Sequence, residues 1–241
     1  MTTLRLLLIL IGILGCEKIF ANNLDMYGAR PFISATQNLN ERWDANLFYS
    51  ETLNLADEMR NGQRYPAKDL QSYFQGGFIY RYLPNINFAF GFVFQKSNPF
   101  SESYLNENRL WQQVIYIQPW FSGNLSHRLR FEERFIQDKA RHGTRPLATR
   151  LRYQLAFTAP FIGTTIASKS WFYSVYNEFY FSTSGDRNAF YSEDWIFGGV
   201  GYQTSQWGRI EFGPLLQYAY INKNKDSRSL MLAQIGWSLN F

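Results

Sequence analysis

Beyond residue 21 the chain alternates. Phe74, Gly76, Phe78, Tyr80 and Tyr82 take every second position between 73 and 83, and Ile86, Phe88, Phe90, Phe92 and Phe94 do so between 85 and 95. Successive side chains leave a strand on opposite faces, so each run predicts a strand with one apolar face. Pro84-Asn85 between them predicts a tight hairpin corner. The same pattern predicts strands at 29–39, 42–52, 109–120, 125–136, 146–159, 169–182, 195–203, 209–221 and 228–241. Runs of ~9–14 residues are what a tilted strand needs to cross a hydrocarbon layer, against ~5–6 in soluble sheets. No segment after residue 21 has the ~18 consecutive apolar residues of a membrane helix.

The connections alternate in size. Short ones are expected at 40–41, 84–85, 121–124, 160–168 and 204–208, and longer polar ones at 54–71, 96–108, 137–145, 183–194 and 222–227. Short turns on one side and long loops on the other are the habit of outer-membrane barrels, whose strands meander with no free edge. The fold expected is therefore all-β, an antiparallel up-and-down transmembrane barrel. Eleven strands are counted, but a chain with both ends on one side needs an even number: ten if 29–39 is not a full wall strand, or twelve, slightly favoured, if a short strand lies near 25–30; an N-terminus tucked through the lumen would accommodate eleven. Lys68, Lys96, Lys139, Lys223 and Lys225 fall in the long segments, where they can meet outer-leaflet phosphates; Lys169 does not.

Tryptophan is expected at the two rims. Trp43, Trp120, Trp171, Trp207 and Trp237 lie near the short turns, and Trp111 and Trp195 near the long loops. An indole at a bilayer interface keeps its N–H wet and its ring in the acyl boundary. The last strand puts Ser229, Met231, Ala233, Ile235, Trp237, Leu239 and Phe241 on one face, and the terminal aromatic residue resembles the mark by which outer-membrane proteins are recognised for assembly.

Charge is patterned too. On 125–136, Arg128, Arg130, Glu132 and Arg134 share one face while Leu129, Phe131 and Phe135 share the other, so the charges are expected inside. Folding the next hairpins brings Glu132 level with Arg150 or Arg152, and either arginine level with Glu178. A Glu-Arg-Glu ladder across three strands is then possible at the ~4.5–5.5 Å Cβ spacing of neighbours. Arginine suits it because its planar fork stays charged and can serve two carboxylates. Such a network either fills a narrow lumen or forms a basic constriction that selects anions or holds a lipid phosphate. Asp44, Arg81, Arg209 and Glu211 are also expected inside, whereas Glu133 falls on the outer face.

The runs from Arg128 to Phe135, Thr149-Arg150-Leu151-Arg152-Tyr153 and Tyr176-Asn177-Glu178-Phe179-Tyr180, followed by Phe197-Gly198-Gly199-Val200-Gly201-Tyr202, resemble in order and spacing a bacterial family called domain of unknown function 2490. The likeness spans most of the chain after residue 21. It implies an outer-membrane barrel with no assigned activity. Tyr191-Ser192-Glu193-Asp194 departs from the polar run ending in Arg that the resemblance leads one to expect.

Composition narrows the classes. Aromatic residues make up 19% and charged ones 18% of the 241 residues, and the mean hydropathy is −0.31, so the chain is neither disordered nor helical-membrane in type. Arg5 followed by apolar 6–14 and by Lys18-Ile19-Phe20-Ala21 predicts a secretory signal peptide over 1–21, with the barrel over 22–241. Ile13-Leu14-Gly15-Cys16 is a competing but poor lipoprotein box. Losing Arg5, Glu17 and Lys18 takes the net charge from +5 to +4, too diffuse for nucleic acid, and the single cysteine excludes a disulfide framework.

Catalysis would have to use His127 beside Ser126, or His142 with Asp138 and the loop serines Ser101, Ser103, Ser184 and Ser192. No local spacing builds a nucleophile, base and orienting group from these. No cofactor or metal pattern is present; Gly198-Gly199-Val200-Gly201 lies in a strand, where glycine permits close packing, and Pro214 marks a missing ladder bond. The expectation is a non-enzymatic protein of the bacterial outer membrane, structural, ligand-binding or narrowly conducting. Its expected partners are membrane lipids including lipopolysaccharide and the assembly machinery. A surface lipid hydrolase and a secreted lipocalin-like carrier are the alternatives.

Overall fold

The computed structural model describes residues 23–241 except 61–62, 102–103, 139–142, 145–146, 186–188 and 221–225. The expected signal peptide, Cys16 and His142 lie outside the described residues. Fourteen strands follow in order: β1 (Asn23–Asn38), β2 (Trp43–Asn54), β3 (Glu58–Arg60), β4 (Gln63–Tyr65), β5 (Lys68–Leu83), β6 (Ile86–Ser97), β7 (Leu105–Trp120), β8 (Gly123–Asp138), β9 (Gly143–Thr144), β10 (Ala148–Pro160), β11 (Ser170–Ser184), β12 (Tyr191–Gln203), β13 (Arg209–Tyr220) and β14 (Ser227–Asn240).

β3 and β4 form a separate hairpin in a long loop, where Arg64 grips Asp57 through Nε at 3.0 Å and Nη2 at 2.5 Å. Through that hydrogen bond Arg64 holds the exposed Asp57 carboxyl below its ordinary pKa. The remaining twelve strands make one sheet, in which β9 is a two-residue flap on β8; the wall itself has eleven strands. Pairing of β8 with β10 and of β14 with β1 closes it into a barrel.

The closing seam corrects two expectations. β1 runs parallel to β14, from Asn23 opposite Ser227 to Thr36 opposite Asn240, so the barrel is mixed rather than wholly antiparallel. The favoured twelfth strand is absent from the described residues. Both facts have one cause: hairpins reverse the chain at each step, so after eleven strands the first and last point the same way and can only meet in parallel. Asn23 consequently starts at the long-loop rim while Phe241 ends at the short-turn rim, its N–H donating to Thr36 O at 2.9 Å. Cysteines at Ala29 and Ala233, Cα partners across this seam, are expected to oxidise to an intramolecular disulfide. Absence of that crosslink in folded protein would show that the barrel closes otherwise.

Several strands start earlier than the hydrophobic pattern predicts: β5 at Lys68 rather than 73, β7 at Leu105 rather than 109, and β12 at Tyr191 rather than 195. These extensions are polar and lie at the long-loop end. Ladder hydrogen bonds need no apolar face, so pairing continues past the point where hydrophobic alternation stops.

The two faces differ sharply in chemistry. Phe88, Phe90, Phe92 and Phe94 of β6 are 43–49% exposed on the exterior, joined by Phe78, Leu129, Phe135, Val175, Phe212 and Ile235. The interior has two apolar sectors with a charged one between them. Met26, Phe197, Leu215, Leu230 and Leu232 form a buried apolar cluster across β1, β12, β13 and β14, and Ala89, Val93 and Trp111 form a smaller one. Charged side chains occupy the arc of β7, β8, β10 and β11 between them.

Candidate functional site

The charged arc follows from alternation and register. Arg109 of β7 stands opposite Arg134 of β8, and Arg130 of β8 opposite Arg152 of β10. Like charges directly opposite repel, so each arginine pair needs a carboxylate between its members. Glu107 supplies the first: Arg134 donates to both its oxygens at 2.5 and 2.9 Å, and Arg109 Nε donates to it at 2.5 Å. Glu132 and Glu178 supply the second. Arg152 donates from Nη1 to Glu132 at 2.8 Å and from Nε to Glu178 at 2.8 Å, which makes a Glu-Arg-Glu ladder across β8, β10 and β11.

Glu132 is the hub. Its side chain is 0% exposed; Arg150 donates to Oε2 from Nε at 2.9 Å and Nη2 at 2.7 Å, and Arg109 Nη1 lies 3.7 Å away. Arg130 Nε lies 3.1 Å from Oε1 without aiming its N–H there; its Nη2 donates to Gln75 at 2.9 Å and its guanidinium covers the Trp111 ring at 4.2 Å. Arg128 completes the set, donating to Glu178 at 2.7 Å. All seven expected interior charges, Arg128, Arg130, Glu132, Arg134, Arg150, Arg152 and Glu178, thus share one connected cluster.

The four further interior charges do not join it directly. Arg81 pairs with Asp44 at 3.4 Å near the short turns, Glu211 accepts from Ser174 at 2.6 Å, and Arg209 lies over the Phe172 ring at 5.8 Å. Glu133 points outward in an unbroken register with Thr149, so no bulge accounts for it. Glu107, Arg109, Arg30, Glu193 and Arg228 belong to the interior but escape the sequence reading. For the first two a signal exists: Glu107 and Arg109 continue the parity of Trp111 and Gln113 beyond the point where hydrophobic alternation ends.

Above and beside the cluster lies a cavity of about 350 Å³, lined by eight arginines but only three glutamates, Glu178, Glu193 and Glu211. Arg30 lies over the Trp195 ring at 5.2 Å and donates to Gln234 at 3.0 Å, and Arg150 and Arg152 pack on the Tyr180 ring at 4.9 and 4.5 Å.

A family model described as "Protein of unknown function (DUF2490)" matches residues 32–228, most of the barrel wall and every strand of the charged cluster. The chain belongs to the DUF2490 family. No curated protein and no solved structure matches it. In this DUF2490 barrel the family match runs from Phe32 in β1 to Arg228 in β14, so both strands of the parallel seam contribute to it.

The tryptophans divide differently from the expectation. Trp43, Trp120, Trp171, Trp237 and Phe241, with Trp207, lie at the short-turn rim, and all but the partly covered Trp43 are well exposed. Trp111 and Trp195 are corrections: Trp111 is 3% exposed inside the barrel beneath Arg130, and Trp195 lines the cavity. Parity decides both, since Trp111 alternates in step with Glu107 and Arg109, and Trp195 with Glu193 and Phe197. Tyrosines instead mark the outside of the long-loop half, among them Tyr27, Tyr49, Tyr191, Tyr218 and Tyr220.

Histidine chemistry is also placed. His127 and Ser126 alternate faces and so cannot act as a dyad; His127 Nδ1 bonds Tyr153 Oη at 2.8 Å on the exterior, and Nε2 lies 3.4 Å from Gln118 Nε2. Among the described residues no group of three or more His, Cys, Asp or Glu could hold a metal ion.

Proposed function

We propose that this DUF2490 barrel is an integral protein of the bacterial outer membrane. In this reading it is non-enzymatic, and its lumen is braced by the Arg/Glu cluster rather than open as a wide pore. One observation carries the reading: phenylalanine, leucine and valine cover the outside all round, while an arc of ionised side chains lies buried inside beside smaller apolar clusters. A barrel dissolved in water gains from the opposite arrangement, because the hydrophobic effect drives apolar area inward. Hydrocarbon outside removes that conflict.

The height of the apolar band supports it. Exterior acids first appear at Glu51, Glu133 and Asp194, each eight residues along its strand from Trp43, Leu125 and Tyr202 at the short-turn side. Eight residues rise about 26 Å along a strand, or about 20 Å along the barrel axis at a tilt of about 40°. That is close to the ~25 Å band of outer-membrane barrels. Tyr49 donates to Glu51, and Asn177 Nδ2 donates to Asp194 at 2.5 Å, so two of the three acids are satisfied within the wall where water would begin. On this reading the outer-leaflet lipids, including lipopolysaccharide, surround the wall, and the assembly machinery inserts it. Lys68 and Lys96 stand where they can meet lipid phosphates.

The test is extraction. The protein is expected to stay with membranes through high salt and alkali, to need detergent for release, and to run faster on unheated than on heated gels. Nitroxide labels at Phe90→Cys and Phe131→Cys are expected to report hydrocarbon. Release by alkali without detergent, or water at both labels, would favour a secreted ligand carrier and end the membrane reading.

A further inference from the structure

The cavity beside the ion-pair cluster has an unbalanced hydrogen-bond inventory. Four of its lining side chains hold a buried polar atom without a hydrogen-bond partner: Nε of Arg128, Arg130 and Arg228, and Nε2 of Gln217. All four are N–H donors; among the described residues no buried acceptor of the cavity lining lacks a partner, and Gln113 Oε1, an unpartnered acceptor on the interior face of β7, is not part of that lining. Gln217 is 8% exposed, so its amide has little recourse to bulk water. A buried donor without an acceptor is costly, and interiors rarely keep several together unless something fills them.

Charge is unbalanced in the same direction. Eight arginines line the cavity against three glutamates, and adding the buried Glu107 and Glu132 still leaves an excess of three positive charges. Arg228 is the clearest case: among the described residues it makes no ion pair within 4 Å, and the carboxylate whose field reaches it, Glu193, is already paired with Arg150. The guanidinium fork matches an oxygen-bearing anion, and a site rich in such forks favours more than one oxygen and more than one negative charge. At about 350 Å³ the space falls at the small end of ligand pockets, enough for a small solute with a few waters but too small for a lipid's chains.

We propose that this chamber binds a small multivalent oxyanion, one carrying two or more phosphate or carboxylate charges, with Arg228 and Gln217 as its contacts distinct from the structural ion pairs. The site stands on the interior geometry and does not depend on where the barrel resides. Arg228 and Gln217 discriminate best, because changing either leaves every carboxylate of the central cluster with its arginines.

The experiment titrates inorganic pyrophosphate into the full-length protein folded in a neutral detergent at low salt. Calorimetry and the fluorescence of the nearby Trp195 and Trp111 serve as readouts. One saturable site is expected, weakening as salt rises and silent toward glucose. Arg228→Gln is expected to weaken it at least tenfold and Gln217→Leu several-fold, both with unchanged gel mobility of the folded form. Should Arg228→Gln fail to fold, Gln217→Leu carries the test, since it removes a donor and no charge. Absence of saturable binding, or equal binding by the folded variants, overturns the proposal. A protein that needs detergent yet ignores pyrophosphate would refute the site alone; one that binds pyrophosphate yet leaves membranes in alkali would refute the membrane reading alone. Competition by a short-chain phosphatidic acid would support the site and assign the anion to a lipid headgroup entering the chamber. Binding of pyrophosphate without such competition would support it with a free solute as ligand.

Discussion

Glu132→Gln is expected to cost about 3–5 kcal/mol, the range for removing one partner of a buried ion pair. The folded-to-unfolded ratio should fall by about a hundred- to several-thousand-fold, a loss that takes much of a typical domain's ~5–15 kcal/mol. The cause is local. Glu132 is 0% exposed and lies within 4 Å of four guanidinium groups, those of Arg109, Arg130, Arg150 and Arg152. Glutamine keeps the shape but sets an NH₂ against donors and leaves those cations to repel one another. Adding Arg150→Gln should recover part of the loss, because it removes a cation that would otherwise be buried beside no carboxylate but the partly exposed Glu193, 3.2 Å away. Unfolding in denaturant with lipid or detergent present measures both variants. A Glu132→Gln barrel as stable as the parent, or a double variant whose losses simply add, would show that the cluster does not brace the wall as a unit.

Much of that cluster could be read from the chain because its members sit on successive hairpins. Glu132 meets Arg150 through one connection and Arg152 meets Glu178 near the next, so face parity and turn position together set the register. The closing seam offers no such handle. β1 and β14 lie about two hundred residues apart, no turn joins them, and the parity rule on which an even strand count rests presumes that both ends lie on one side. An odd barrel closed in parallel violates that premise, not the hydrophobic pattern.

Trp111 and Trp195 fail for another reason. Nearness to a long loop says how high a side chain stands but not which way it faces, and both share parity with interior glutamates. The apolar interior arc was invisible because β14 is apolar on both faces: Leu230 and Leu232 point in while Met231 and Ile235 point out. Where both sides of the wall are greasy, period two vanishes from the sequence. That sector offsets part of the cost of the ionic arc, since apolar packing there needs no partners, whereas each guanidinium opposite does.

Phe90→Arg and Phe94→Arg should differ in effect, and the difference separates a membrane wall from a soluble one. Both rings face outward from β6, 49% and 43% exposed. Phe90 stands four residues above the start of the strand at Ile86, midway up the apolar band, and packs beside Phe78 at 6.0 Å and Trp43 at 6.2 Å. Phe94 stands eight residues up, level with the height at which exterior acids appear. Arginine at a bilayer midplane costs about 2–4 kcal/mol and near an interface about 0–1 kcal/mol. Folding into lipid vesicles should therefore weaken about 30- to 900-fold for Phe90→Arg and little for Phe94→Arg. In water the ordering has no basis, since a half-exposed phenylalanine replaced by arginine loses only local ring contacts at either position. Equal small effects at both sites would mean that water, not hydrocarbon, bathes the outer face, and the aromatic band would then need another molecule to cover it.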